Sequence, residues 1–177
     1  MTVRRSDDKF EDETKRAANE DIVFFCSTED VGASGHAVYP AFWPEWTLAI
    51  SGTDSGGKEV KYTDRNARYF FPGENIHTKG LSYRSPSESV SGSSVATAIA
   101  SGVASLILSC GKWANKGVSK RRRFVSKVFD AMRAANDKYV YPGRLFSYTH
   151  DSTKGKWGEY QWTKFIEDRF GPNGPYA

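Results

Sequence analysis

Residues 94–108 are almost entirely small or aliphatic, apolar nearly all round, and a serine pair opens the run directly after Gly92. Such a stretch reads as a helix, and a helix with no polar stripe is expected to be buried on every face, as the central helix of its fold. Upstream, Lys9–Asn19 is rich in Glu, Lys, Arg and Ala and predicts a surface helix. It feeds Ile22–Cys26, a buried strand, and after a Gly, Ser, Pro and Asp-rich loop comes a second short strand at Thr47–Ser51. This succession gives an α/β fold with a mainly parallel sheet and a buried helix. Further short strands are expected at Val60–Tyr62 and Ala67–Phe71, then a sharp bend at Pro72–Gly73 and a serine-heavy loop over Gly80–Gly92.

Beyond the central helix, Ser119–Ala135 reads as a second helix, with Phe124, Val128 and Met132 on one stripe and Arg121, Arg122, Arg123 and Lys127 largely off it. The tail from Tyr141 spreads Trp157, Trp162, Phe165 and Phe170 among Gly, Lys and Pro, and is expected to be partly helical. A length of 177 residues with 38% hydrophobic content suits one core. The net charge of +4 comes from 25 basic and 21 acidic residues of mixed order, a weak argument for nucleic acid or a membrane. The basic run Lys120–Arg123 sits on the amphipathic helix and reads as a solvated face, so no nucleic-acid partner is expected. Cys26 and Cys110 each follow an apolar run and read as buried free thiols. There is no metal-ligand spacing and no phosphate-cradling glycine loop, hence no expected cofactor. Met1–Glu20 lacks the apolar core of a secretory signal. The apolar stretch Val95–Leu108 falls short of the ~18 residues that suggest a membrane span. A cytoplasmic chain is the expectation.

The chemistry-bearing segment is Ser91-Gly92-Ser93-Ser94-Val95-Ala96-Thr97, which puts a serine at the end of a loop where a long helix begins. Unpaired N–H groups and the positive end of the helix dipole stabilise an oxygen that becomes negative, and glycine lets backbone approach a substrate closely. A serine here could equally be a helix cap. The segment resembles the nucleophile motif of the subtilisin-like serine proteases, in register through Gly92, Ser93, Ser94, Ala96, Thr97 and Gly102, with Val95, Ala98, Ile99 and Ser101 departing from it. Three more landmarks follow the family's order: Lys9–Asn19 with Ile22–Cys26, Tyr39-Pro40-Ala41 with Thr47–Asp54, and Phe71-Pro72-Gly73-Glu74-Asn75-Ile76. The resemblance covers residues 9 to about 112, its wording is nearest to fungal intracellular subtilases, and it implies a serine endopeptidase acting on polypeptides with Ser94 as nucleophile. Residues 1–8 are then a polar N-terminal segment and 113–177 a helical, aromatic-rich extension.

Subtilases carry their triad in the order Asp, His, Ser, with the first two well upstream. The segments matched here lie downstream of both, and none of His36, His77 and His150 stands in a His-Gly-Thr segment. The chain is therefore read as the C-terminal half of the catalytic domain, with an incomplete triad and no turnover by itself; the missing upstream half is a candidate partner. Asp54-Ser55-Gly56 imitates the family's Asp motif, but it follows a strand where the family has a surface turn, so Asp54 and His77 are expected to be a turn residue and a loop histidine. Where the family places an oxyanion-stabilising Asn, this chain has Ser27-Thr28-Glu29-Asp30-Val31-Gly32. A carboxylate there would repel a developing oxyanion, while Ser27 or Thr28 could donate instead. Two other classes remain: a non-catalytic interaction module retaining part of the groove, and a basic adaptor acting through Ser119–Ala135.

Overall fold

The computed structural model describes residues 3–4, 7–31, 37–78, 88–114, 118–133, 137–145 and 159–176. Two compact units divide the chain, Met1–Gly102 and Val103–Ala177.

The first unit opens with α1, Asp8–Asn19, which begins one residue before the sequence expectation because Asp7 caps it, its carboxylate accepting from the Phe10 N–H at 2.7 Å. Three strands follow, β1 at Phe24–Ser27, β2 at Thr47–Thr53 and β3 at Tyr69–Pro72, all parallel in the order β1-β2-β3. The expected α/β architecture with a parallel sheet is what the chain adopts. Central β2 is buried on both faces, Leu48 and Ile50 completely so, as a parallel strand covered on each side must be. Its buried hydroxyls are satisfied: Thr47 donates to the Pro40 and Trp43 carbonyls at 2.9 and 3.0 Å, and Thr53 to the Phe71 carbonyl at 3.2 Å. Below β1 and β2, Cys26, Val38 and Ala41 form a small cluster with Phe24 and Ala49, and Trp43 stacks on Phe10, Tyr39 and Trp46.

Val60–Tyr62 does not form the expected strand. It lies in a turn, where the Thr63 hydroxyl accepts from the Val60 N–H and donates to the Gly52 carbonyl, so side-chain bonds replace a ladder. A two-stranded antiparallel ribbon, β4 at Ile76–Thr78 and β5 at Glu88–Val90, was not expected; it brackets part of the serine-heavy loop, of which residues 80–87 lie outside the described residues.

Helix α2 runs from Ser93 to Trp113, longer than the apolar run that announces it. Burial follows one stripe, Ala96, Ala100, Ala104, Ile107 and Cys110, at the spacing of a single helix face. Ser94, Ala98, Gly102, Ser105, Leu106 and Ser109 are exposed. The expectation of burial on every face is thus corrected. An all-apolar pattern says that a helix tolerates cover all round, not that its own chain supplies it. By length and composition α2 could cross a membrane, and it is the one helix among the described residues that could; a third of its apolar window is buried within the chain.

In the second unit, α3 spans Arg121–Met132 and buries Val128 and Met132 of the expected stripe together with Val125 and Phe129, while Phe124 is half-buried. Arg121, Arg123 and Lys127 are exposed. A Cβ on Gly111 would meet the Phe124 ring at 2.9 Å, so the absence of a side chain there admits that ring. A single 3-10 turn, Pro142–Leu145, and α4, Glu159–Phe170, complete the unit; Phe170 packs on Phe124 and Tyr176. Trp157 lies outside the described residues.

Both cysteines are free and buried, as expected. Burial pushes the Cys26 thiol up to about 11, opposed in part by a hydrogen bond with Thr47. Since the folded value lies above the ordinary 9.0, this thiol contributes stability fully below pH 9, and the contribution is lost as pH rises through 9 towards 11. Native protein should therefore react with a maleimide or disulfide reagent at pH 8 at least about 10²-fold more slowly than urea-unfolded protein. Equal rates would contradict this burial.

Candidate active site

The carboxyl ends of parallel strands are where an open α/β sheet leaves backbone groups and loops free to build a site. Here the segments following β1, β2 and β3 meet the start of α2. Gly73 N donates to Thr53 O at 2.9 Å, and Gly92 N donates to Gly73 O at 2.8 Å, tying the loop before α2 to the ends of β2 and β3. The Asn75 N–H donates to Ser91 Oγ at 2.9 Å. A Cβ on Gly73 would fall 2.8 Å from the Gly92 carbonyl and 3.0 Å from Gly52 Cα, so this crossing of three backbones requires glycine. The buried Tyr62 hydroxyl donates to Gly73 O at 2.7 Å; burial, then the Glu74 and Asp30 carboxylates, pushes its phenol far above the ordinary value, so it remains a neutral donor.

Gly92 is the last residue before α2, and its carbonyl accepts from Val95 N and Ala96 N. Its φ of 139° is in the region that only glycine adopts readily. Ser93 and Ser94, the first two residues of α2, then face different surroundings. Ser93 turns inward, 2% exposed, and donates to Thr28 O at 2.6 Å. Ser94 points outward at the helix N-terminus and is exposed. Of the two serines, Ser94 is thus the one offered to a substrate. No group among the described residues accepts from the Ser94 N–H, which remains available to an anionic oxygen.

The loop after β1 has no free neutral donor at Thr28, whose hydroxyl bonds the Ile50 carbonyl at 3.3 Å. Glu29 pairs with Arg4, and Asp30 Oδ1 accepts from the Ser93 N–H at 2.8 Å. The carboxylate that sequence reasoning left shared between Glu29 and Asp30 is therefore Asp30, a long-range helix cap across 63 residues. Nothing in the local sequence marks it, because N-cap rules apply to residues adjoining the helix.

Asp54 sits where a turn residue belongs: its Oδ1 accepts from Gly56 N at 2.9 Å and Lys58 N at 2.8 Å. His77 is exposed on β4 opposite Ser89. Among the described residues no hydrogen bond joins Asp54 or His77 to Ser94. His36 and His150 lie outside the described residues. Among the described residues no group of three His, Cys, Asp or Glu side chains could hold a metal ion. An open pocket of about 470 Å³ lies beside the β1–β2 loop, with Thr28, Ala37, Val38, Ala41 and Phe42 among its lining and Arg68 at its rim.

Compared with known proteins, residues 3–138 match the family model described as the subtilase family, peptidase S8. Solved structures with a similar fold include the prenylagaramide maturation protease PagA, at 20% identity and a TM-score of 0.61, covering 93% of this chain and 57% of that one. The patellamide maturation protease PatA is 18% identical with a TM-score of 0.64, over 84% of this chain and 59% of that one. The self-cleaved protease domain of PatA is also 18% identical, with a TM-score of 0.65 over 84% and 58%. At these identities the likeness is one of fold. The chain spans less than three fifths of the length of these structures. No curated protein matches it in sequence.

Proposed function

Since the chain belongs to the subtilase family, peptidase S8, we propose that it is the nucleophile-bearing, C-terminal part of a serine endopeptidase domain, with Ser94 as nucleophile. The observation that carries this reading is the split of the serine pair: after Gly92, Ser93 is buried and Ser94 is exposed at the head of α2 beside its own unengaged N–H. In the reaction, Ser94 Oγ attacks a peptide carbonyl, a histidine takes its proton and later gives it to the departing amine, and water releases the acyl group. The Ser94 N–H is the donor for the oxyanion. The pocket beginning at Thr28, largely apolar, would receive a substrate side chain.

In this reading the histidine and its aspartate are supplied by the part of the relatives' fold that the chain does not span. Two features support a complementing polypeptide as partner: the exposed small-residue face of α2 at Ala98, Gly102, Ser105 and Ser109, and the 41–43% of the solved relatives' length that this chain does not cover. Small residues allow close approach of another layer of backbone. A specific observation favours a second reading, a non-catalytic module retaining the groove, namely the Asp30 carboxylate at the head of the nucleophile helix.

The test is to mix the chain with a polypeptide carrying the Asp- and His-bearing segments of a subtilase domain, and to follow casein cleavage and fluorophosphonate labelling. Hydrolysis that disappears in Ser94→Ala is expected. A stable complex with no Ser94-dependent hydrolysis would favour the non-catalytic module.

A further inference from the structure

We propose, building on the reading of Ser94 as a nucleophile, that Asp30 is an autoinhibitory residue: its carboxylate, held on the Ser93 N–H at the head of α2, stands beside the oxyanion position and slows acyl transfer at Ser94. Asp30 Oδ1 takes the Ser93 N–H at 2.8 Å. Its other oxygen lies 2.9 Å from where a Gly92 Cβ would stand, and Ser94 Oγ lies 3.5 Å from that same point. Carboxylate and hydroxyl therefore border one glycine.

An oxyanion formed on attack by Ser94 would develop close to a fixed negative charge, at a helix terminus whose dipole that charge already neutralises. The neighbours do not relieve it. Glu29, the adjacent acid, is paired with Arg4, its second carboxylate oxygen buried without a partner; Glu74 Oε2 is likewise buried and unpartnered; and Tyr62 donates to Gly73 O. Thr28, the neutral side chain of the loop, is engaged with Ile50 O. The block is therefore the charge of one side chain, and an asparagine in its place would still accept from Ser93 N while turning an N–H donor towards the site.

The experiment uses the full chain, a fluorophosphonate probe and imidazole as external base, with intact mass as readout. In the step measured, Ser94 Oγ bonds phosphorus, its proton passes to imidazole and fluoride leaves. Asp30→Asn should add one phosphonyl group at Ser94 about 10²-fold faster than the wild type, the scale of one oxyanion donor. Its melting temperature should fall by a few degrees at most, because the cap hydrogen bond persists and only the charge–dipole attraction is lost. Asp30→Ser, neutral but shorter, should also gain rate while losing some thermal stability, which separates charge from folding. Equal or slower Ser94 labelling in both variants, or none at all, overturns the role of Asp30. Labelling of Asp30→Asn that survives Ser94→Ala overturns instead the assignment of Ser94 as nucleophile.

Discussion

Purified alone, the chain will hydrolyse no peptide substrate, and without added base its Ser94 will react with a fluorophosphonate no faster than an ordinary serine. A serine hydroxyl is a weak nucleophile at neutral pH unless a base within hydrogen-bond reach takes its proton during attack. Ser94 has no such partner among the described residues, and the one described histidine, His77, is exposed on β4. Loss of a triad's serine or histidine lowers kcat by about 10⁶-fold, and what survives comes from the oxyanion hole and substrate binding. Here Asp30 sets a carboxylate on the Ser93 N–H at the head of α2, and the chain spans 57% of the length of PagA, so even that remainder should shrink. Intact-mass labelling over hours against Ser94→Ala is the check. Rapid, Ser94-dependent labelling of the unmixed wild-type chain would show that the base is present after all, and His77 would be the first residue to replace.

Much of this arrangement can be read from residue order, and the parts that cannot share a physical cause. Parallel strands announce themselves as continuous apolar runs, which is why β1, β2 and β3 are each located to within two or three residues; Gly92 followed by two serines and an apolar run marks the head of α2. The failures are contacts between residues far apart in the chain. Asp30 reaches Ser93 across 63 residues, Tyr62 reaches Gly73 across 11, and Arg4 holds Glu29 across 25. Composition cannot say which of two adjacent acids meets a helix that begins so far downstream. The open face of α2 has a related cause: hydropathy reports what a surface tolerates, whereas exposure depends on whether anything is there to cover it. Thr28 shows the converse. As a hydroxyl near the expected oxyanion position it was a plausible donor, yet its location at the end of β1 aligns it with the Ile50 carbonyl, and the sheet claims it.

Two glycines, Gly92 just before α2 and Gly102 in its interior, should respond to alanine with opposite signs. Gly92→Ala places a Cβ at φ 139° and 2.9 Å from Asp30 Oδ2, an oxygen that cannot simply swing away because its twin is bonded to Ser93 N. Backbone strain of about 1–3 kcal/mol and a comparable overpacking cost should lower stability by ~2–4 kcal/mol. Gly102→Ala adds a methyl that meets no atom within 4 Å, in the interior of a helix, where alanine is favoured over glycine by about 1 kcal/mol. Chemical denaturation of the two variants should therefore move the midpoint down for Gly92→Ala and up for Gly102→Ala; a shift of the same sign in both would contradict the backbone geometry at Gly92 or the openness at Gly102. The second variant also probes the complementing partner. If another layer of the fold closes against Ala98, Gly102 and Ser105, the methyl that stabilises the free chain stands in that layer's path. Gly102→Ala should then weaken assembly by about tenfold or more while raising the stability of the chain alone, the overpacking cost of about 1–3 kcal/mol appearing only in the complex. Unchanged assembly would mean that this face of α2 is not the one the partner covers.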